Sequence, residues 1–288
     1  MRYCEIKPQL QLRRFVECFW TLESDQSDSN TSETPILPDG CVEMILNCGA
    51  PFQQTTENGE RVTQPARFLV GQMTRPVQIA PTGFVELIGI RFHPGGTMPF
   101  FKPPLNELTN RIIELGGLDS ALESELREAL ATSPALADRI NAIESCLTRR
   151  ARAFSGDPRL LELTANAVRI CGRITIDRLA DSAGISPRQL ERRFLVEVGL
   201  GPKLFCRILR FQEVFRAVAD DKAGWAALAV DCGYYDQAHL IRDFQEFAHQ
   251  TPAVLLAQSA GLTGAFTRRN RSHESCPPKV SHFSNLLE

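Results

Sequence analysis

Ile174–Phe194 reads ITIDRLADSAGISPRQLERRF, and Trp225–Pro252 reads WAALAVDCGYYDQAHLIRDFQEFAHQTP. These stretches are one pattern written twice. Leu179-Ala180 is followed after two residues by Ala183-Gly184, and Leu228-Ala229 after two residues by Cys232-Gly233. A polar capping residue comes next, Ser186 or Asp236. Four positions on is a leucine, Leu190 or Leu240, then an arginine and a phenylalanine, Arg192 with Phe194 and Arg242 with Phe244. Each copy closes on a proline, Pro202 or Pro252. The offset is 49 residues before the turn and 50 after it, so the second turn is one residue longer. Self-similarity of this kind means one supersecondary unit used twice.

Local chemistry says what the unit is. Ile176, Leu179, Ala180 and Ala183 fall at helical spacing, and Gly184 suits a left-handed stop. Ser186-Pro187-Arg188-Gln189 starts a second helix, with Ser as N-cap, Pro at the first helical position and Gln completing a capping box. Leu190, Phe194 and Val198 share one face, and Gly199 ends the helix. In the second copy Asp236 is the cap, and Leu240, Phe244 and Phe247 or Ala248 face inward. Helix, Gly-containing turn and second helix make a helix-turn-helix, whose second helix can enter a DNA major groove. The outward faces carry Arg188, Gln189, Glu191, Arg192 and Val196, then Gln237, Ala238, Ile241, Arg242 and Gln245. Arginine and glutamine can bond guanine and adenine edges, Glu can accept from cytosine, and Ala or Ile can meet a thymine methyl. The bland alternative is a helical hairpin with a solvated polar face.

These two copies, joined by a helix over Pro202–Ala219, resemble the DNA-binding domain of the AraC/XylS family of bacterial transcription regulators. The resemblance implies that one chain places two reading helices in successive major grooves. Carried over by position, the base-facing residues are Arg188, Glu191 and Arg192, then Gln237, Ala238, Ile241 and Arg242. His249-Gln250 stands before Thr251-Pro252 where the family usually has glycine.

The 288 residues suggest two domains. Residues 157–271 hold 16 basic against 13 acidic side chains, and residues 1–156 hold 15 against 19. That asymmetry suits a nucleic-acid reader beside a domain of another role. No apolar run reaches 18 residues and the amino terminus has no apolar signal segment, so the expectation is a cytoplasmic protein of bacterial type, nucleoid-associated when on DNA, with no membrane partner. The nine cysteines show no two-residue spacing of a zinc knuckle or redox motif, and their odd number without a signal segment predicts reduced thiols. Cys232 takes the place of Ala183 and is expected in the core; Cys41 and Cys48 are candidate sensing thiols.

Residues 1–104 read as β-rich, with strands over Phe15–Leu22, Cys41–Asn47, Phe68–Val70, Val77–Ala80 and Phe84–Phe92, a polar loop at Ser24–Thr34 and a polar loop or hairpin at Phe52–Gln64. Gly and Pro punctuate them, suggesting a small barrel or sandwich. In Cys41–Asn47, Val42, Met44 and Leu46 alternate with Glu43 and Asn47. The stretches ILPDGCVEMILN, FLVGQMTRPVQIAPTG and IGIRFHPGG resemble the amino-terminal domain of a subset of AraC-type regulators. That resemblance implies a sensor position and a cupin-like barrel. Polar residues that can line its cavity are Glu43, Gln72, Arg75, Glu86, Arg91 and His93, each of which can equally be a half-exposed strand residue. No metal site, cofactor, P-loop or nucleophile–base pair is read, and no enzyme.

Residues 105–156 read as a helical linker. Leu118–Leu130 is amphipathic, and from Pro134 the residues Leu136, Ile140, Ile143 and Leu147 form a short seam. The seam packs on its own domain or forms a homodimer through 134–150. Ser155–Pro158 is the junction, 157–260 the DNA-binding domain with motifs at 176–199 and 225–249, and 261–288 a polar, disordered tail.

The fold class read is α+β, a β-rich barrel with flanking helices followed by an all-α double helix-turn-helix domain. The function read is a sequence-specific transcription regulator, activator or repressor. Its partners are promoter or operator double-stranded DNA, a small-molecule effector and RNA polymerase. Two alternatives stand beside it. A DNA-repair alkyl-acceptor protein with an AraC-type reader would need a zinc-binding cysteine cluster. The other keeps the reader and makes the first domain purely an oligomerisation module.

Overall fold

The computed structural model describes residues 2–24, 33–133, 135–220 and 224–258. The expected tail at 261–288, Cys276, Pro134 and most of the loop after Ser24 lie outside them.

The first domain is β-rich. Its strands in chain order are β1 (Arg2–Ile6), β2 (Val16–Glu23), β3 (Thr34–Ile36), β4 (Val42–Asn47), β5 (Phe52–Thr55), β6 (Arg61–Thr63), β7 (Arg67–Val70), β8 (Val77–Pro81), β9 (Glu86–Phe92) and β10 (Ile112–Glu114). They form a six-stranded sheet, β1-β2-β9-β4-β7-β10, and a four-stranded sheet, β3-β8-β5-β6. All pairings are antiparallel. Each sheet ends in edge strands, so the closed barrel gives way to two open layers. Edges survive because, among the described residues, no strand of one sheet pairs with a strand of the other. The segment Phe52–Gln64 is a hairpin. The strand β10 lies beyond the expected boundary at residue 104, because it completes the edge beside β7.

Two apolar cores cover the large sheet. Trp20, Leu22, Ile45, Phe68 and Leu87 meet Ile36, Phe52 and Ile79 of the small sheet. On the other face Phe19, Met44, Leu46, Ile88 and Ile90 pack with the helices α2 (Ser120–Thr132) and α3 (Leu136–Arg152), which follow the one-turn helix α1 (Leu115–Leu118). Asp119 caps α2, accepting from the Leu122 amide at 2.8 Å. Ile140, Ile143 and Leu147 are buried in this core, with Leu136 partly so. The seam over 134–150 is therefore spent on its own domain, and the homodimer read from it loses its apolar face.

Covering both faces changes what β4 must bury. Alternation predicted one wet side, yet Glu43 and Arg91 are both fully buried. They sit opposite each other on β4 and β9, and Arg91 Nε donates to Glu43 Oε1 at 2.7 Å. Burial works against the Arg91 charge, but Glu43 together with Cys18, Tyr3 and Glu17 outweighs it and holds the guanidinium protonated. Glu43 Oε2 and both Arg91 Nη atoms make no hydrogen bond, and Glu5 lies 3.8 Å from Nη1. Such a pair specifies layer register more than it stabilises.

The second domain comprises α4 (Arg159–Arg169), α5 (Ile176–Ser182), α6 (Pro187–Val198), α7 (Pro202–Asp220), α8 (Trp225–Asp231), α9 (Gln237–Ala248) and α10 (Pro252–Gln258). Its core runs from Leu160 to Leu255 and includes Cys232, as the repeat required, and Leu37 of the first domain. Burial pushes the Cys206 thiol up to about 11 and Cys232 up to about 12. Burial and the Glu125 carboxylate push Cys146 up to about 11. Cys41 is fully buried, and burial raises Cys48. No helix of the described residues is long and apolar enough to cross a membrane.

Two outcomes are expected. Glu43→Gln removes the buried arginine's hydrogen-bonded counter-charge, leaving Glu5 at 3.8 Å, and should cost about 3–5 kcal/mol, whereas Glu43→Met with Arg91→Met should be neutral or stabilising. Urea unfolding measures both; a Glu43→Gln cost as small as a surface substitution would contradict the burial. Under native conditions at neutral pH, a thiol reagent should reach exposed Cys4 and spare Cys146, Cys206 and Cys232 until the chain unfolds, because the thiolate is the reacting form. Mass mapping of alkylated peptides checks this.

Candidate nucleic-acid interface

Both motifs are built by local capping. The Thr175 side chain accepts from the Arg178 amide and starts α5. Gly184 takes φ +63° and turns the chain. Ser186 and Gln189 form the capping box. The Ser186 amide donates to Gln189 Oε1 at 2.9 Å, and the Gln189 amide donates to Ser186 Oγ at 3.3 Å. Gly199 closes α6 in the left-handed region. In the second motif Asp236 accepts from the His239 amide at 2.7 Å. There His249 takes φ 56° and does the work of the missing glycine. Left-handed backbone costs a non-glycine residue about 1–2 kcal/mol, which the docked α10 must offset.

The linking helix α7 is the shared spine. Phe205 meets the Phe194 ring of α6 at 5.8 Å between centroids. One helical stretch on, Phe211 meets Phe244 at 4.8 Å and Phe247 at 5.4 Å. Arg207 donates to Asp243 Oδ1 at 2.7 Å and to Glu246 Oε2 at 2.5 Å, tying α7 to α9. Burial opposes the Arg207 charge, and Glu246 and Asp243 hold it protonated. Arg173 and Arg210 donate to the carbonyls of Asp231 and Gly172 at 2.9 Å each.

These contacts leave one face of each second helix outside. Leu190, Phe194 and Val198 are buried on α6, and Leu240, Phe244, Phe247 and Ala248 on α9. Arg188 and Arg192 are exposed and make no ion pair among the described residues. Arg242 is exposed, with only a 3.3 Å bond from Nε to the Ala238 carbonyl. Gln237 and Ala238 are exposed and Ile241 half-buried. Two expected base readers have other employment. The Gln189 carbonyl oxygen is taken by the capping box, leaving only its amide hydrogens for a base. Glu191 bends back over Gly201, where an added Cβ would lie 2.5 Å from Glu191 Oε1. An acid there complements the amino end of α7. Arg193, not read from the sequence, pairs with Glu197 at 2.9 Å and Asp157 at 3.1 Å and ties α6 to the domain junction. Hydrogen bonds from Arg159 hold Asp157 below the usual carboxylate range.

The six polar residues read as cavity-lining in the first domain do not gather in one cavity. Glu43 and Arg91 form the buried pair. Gln72, fully buried, donates to the Gly40 carbonyl at 2.9 Å. Glu86 pairs with Arg139 of α3 at 2.6 Å, and Arg75 pairs with Glu57. His93 begins the turn after β9, its amide bonded to the Phe15 carbonyl. A narrow cleft, open to solvent, lies elsewhere, between residues of the two sheets. Ile36, Val70, Met73, Val77, Ile79 and Ile112 line it, with Gln54, Gln64, Asn110 and Arg111 as its polar members. Among the described residues no group of His, Cys, Asp or Glu is placed to hold a metal ion.

Residues 179–258 match the family described as "Helix-turn-helix domain". The carboxy-terminal domain is an AraC-type helix-turn-helix domain, and the chain is a DNA-binding transcription regulator of that type. Residues 4–114 match a "Domain of unknown function (DUF6597)", whose end coincides with that of β10. No curated protein sequence matches the chain. Among solved structures, ToxT from Vibrio cholerae O395 is similar at 10% identity and a TM-score of 0.44, covering 84% of this chain and 98% of its own. A ToxT structure bound to (E)-4-(8-methylnaphthalen-1-yl)but-3-enoic acid gives the same identity and TM-score. The AraC-like transcriptional activator CuxR is similar at 12% identity and a TM-score of 0.24, covering 66% of this chain and 71% of its own. Likenesses this shallow carry neither a ligand nor a pose to this chain.

In the AraC-type domain, Arg192 lies two positions from inward Phe194, about 160° away around the helix. Arg192→Ala and Arg242→Ala should therefore change stability by no more than about 0.5 kcal/mol. Leu190→Ala and Phe244→Ala should each cost about 2–5 kcal/mol. Thermal melts of the four variants decide it; arginine variants that melt with the core variants would put these arginines on the wrong face.

Proposed function

We propose that this regulator reads two half-sites on double-stranded DNA through α6 and α9, with the first domain as an effector-receiving domain. Arg188 and Arg192 are the base-reading residues of α6, and Gln237, Ala238, Ile241 and Arg242 those of α9. Gln189 and Glu191 are secondary, since their oxygens already serve the capping box and the start of α7. The observation that carries this reading is the matched pair of arginines, Arg192 and Arg242. Both are exposed at the same place in the repeat, opposite a buried leucine–phenylalanine face. An arginine fork suits guanine O6 and N7.

The cleft between the sheets is the place we assign to the effector. Its apolar walls, three amide side chains and Arg111 suit a small, largely apolar molecule, and among the described residues no carboxylate lines it. Regulation of promoter output in the cytoplasm, with RNA polymerase as the downstream partner, follows from this role.

A base-substitution binding panel tests the reading. Arg192→Ala and Arg242→Ala should each lose about 1–3 kcal/mol at the selected duplex and relax preference at one base pair. The two affected base pairs should lie about one helical turn, roughly 34 Å, apart. Uniform weakening across all sequences with a shallower salt dependence would make them phosphate contacts instead.

A further inference from the structure

The first domain grips the second through specific bonds, and the grip is one-sided. The Thr109 hydroxyl donates to the Gly199 carbonyl at 2.6 Å, at the very end of α6. A Cβ on Gly199 would sit 3.1 Å from Gln72 Cγ and 3.1 Å from the Leu105 carbonyl oxygen. On α7, Gln212 is buried and donates to the Pro38 carbonyl at 2.6 Å. Leu37 is buried in the AraC-type core, and a Cβ on Gly40 would meet the Phe205 ring at 3.1 Å. On α4, Thr164 donates to the Pro94 carbonyl at 2.7 Å. These bonds fall on α4, the end of α6 and the body of α7. The second reader is held differently, by Arg207 and Phe211 of α7.

The same segments reach the cleft. Ile36 lines it and Leu37 enters the reader's core. Met73 lines it and Gln72 touches the end of α6. Asn110 lines it and Thr109 bonds Gly199. Twice, neighbouring residues divide between the cleft and the end of α6, while Leu37 enters the core the two readers share.

We propose that the first domain sets the pose of α6 and not of α9, with Thr109 and Gln72 as positioning residues. A molecule in the cleft then acts on the half-site read by α6. Native hydrogen bonds are short-ranged and directional, so moving either of these two adjoining segments shifts the end of α6 directly, while α9 follows α7. This rests on the reading that both helices face DNA.

The test uses the full chain and a duplex it selects from a random pool. Arg192→Ala and Arg242→Ala first assign the two halves of that duplex. Thr109→Val, which keeps shape and removes the hydroxyl, should weaken binding about three- to tenfold. The loss should appear as blunted discrimination at the Arg192 half, with the Arg242 half discriminating as before. Thr109→Ser should restore both. Melting temperatures run alongside exclude simple unfolding. Equal loss in both halves, or full affinity and discrimination in Thr109→Val, would overturn the proposal. If the wild-type chain selects no sequence, or Arg192→Ala alters neither half, the DNA reading itself fails.

Discussion

Everything in the second domain depends on the packing of α7, a helix with no idle face. Phe205 fits against Phe194 of the first reading helix, and Phe211 between Phe244 and Phe247 of the second. Gln212 is turned to the first domain, and Arg207 to the acids of α9. Aromatic contacts of this kind contribute beyond their buried area and are sensitive to geometry. The spacing of the two readers is therefore a property of one helix's register, which is what a double reader of regular DNA needs. A monomer can then hold two helices at a fixed separation without a partner subunit.

The first domain answers a different constraint. Its large sheet is covered on both faces, by a second sheet and by two helices, so its central strands must bury everything they carry. Parallel sheets usually meet this with continuous apolar runs. Here an antiparallel sheet meets it while keeping Glu43 and Arg91, at the cost of unmet guanidinium hydrogen bonds. A pair of this kind disfavours alternative registers, since a slip by one residue would strand both charges.

Legibility in the sequence divided along range. The motifs of the second domain were readable because caps act within a few residues. Ser186, Pro187, Gln189, Gly199 and Asp236 each sit where propensity alone puts them. The existence of most strands was readable from Gly and Pro punctuation. Burial of Glu43 was not, because alternation carries no information on whether the polar side faces water or another layer. The edge strands β1 and β10 escaped notice because they owe their form to β2 and β7. Helix α4 lacks a side-chain cap, which removed its usual start signal. Least legible were the bonds between domains. Thr109 and Gly199 lie 90 positions apart, and Gln212 and Pro38 lie 174 apart. No local pattern marks such partners.

The central claim is that one chain carries two equivalent readers at a separation fixed by α7. Hydroxyl-radical footprinting of the full-length protein on its selected duplex tests it most directly. The account predicts two protected patches on one face of the DNA, with centres about one helical turn apart, at protein concentrations where the chain is monomeric. A single patch, or protection that appears only as the protein dimerises, would contradict it.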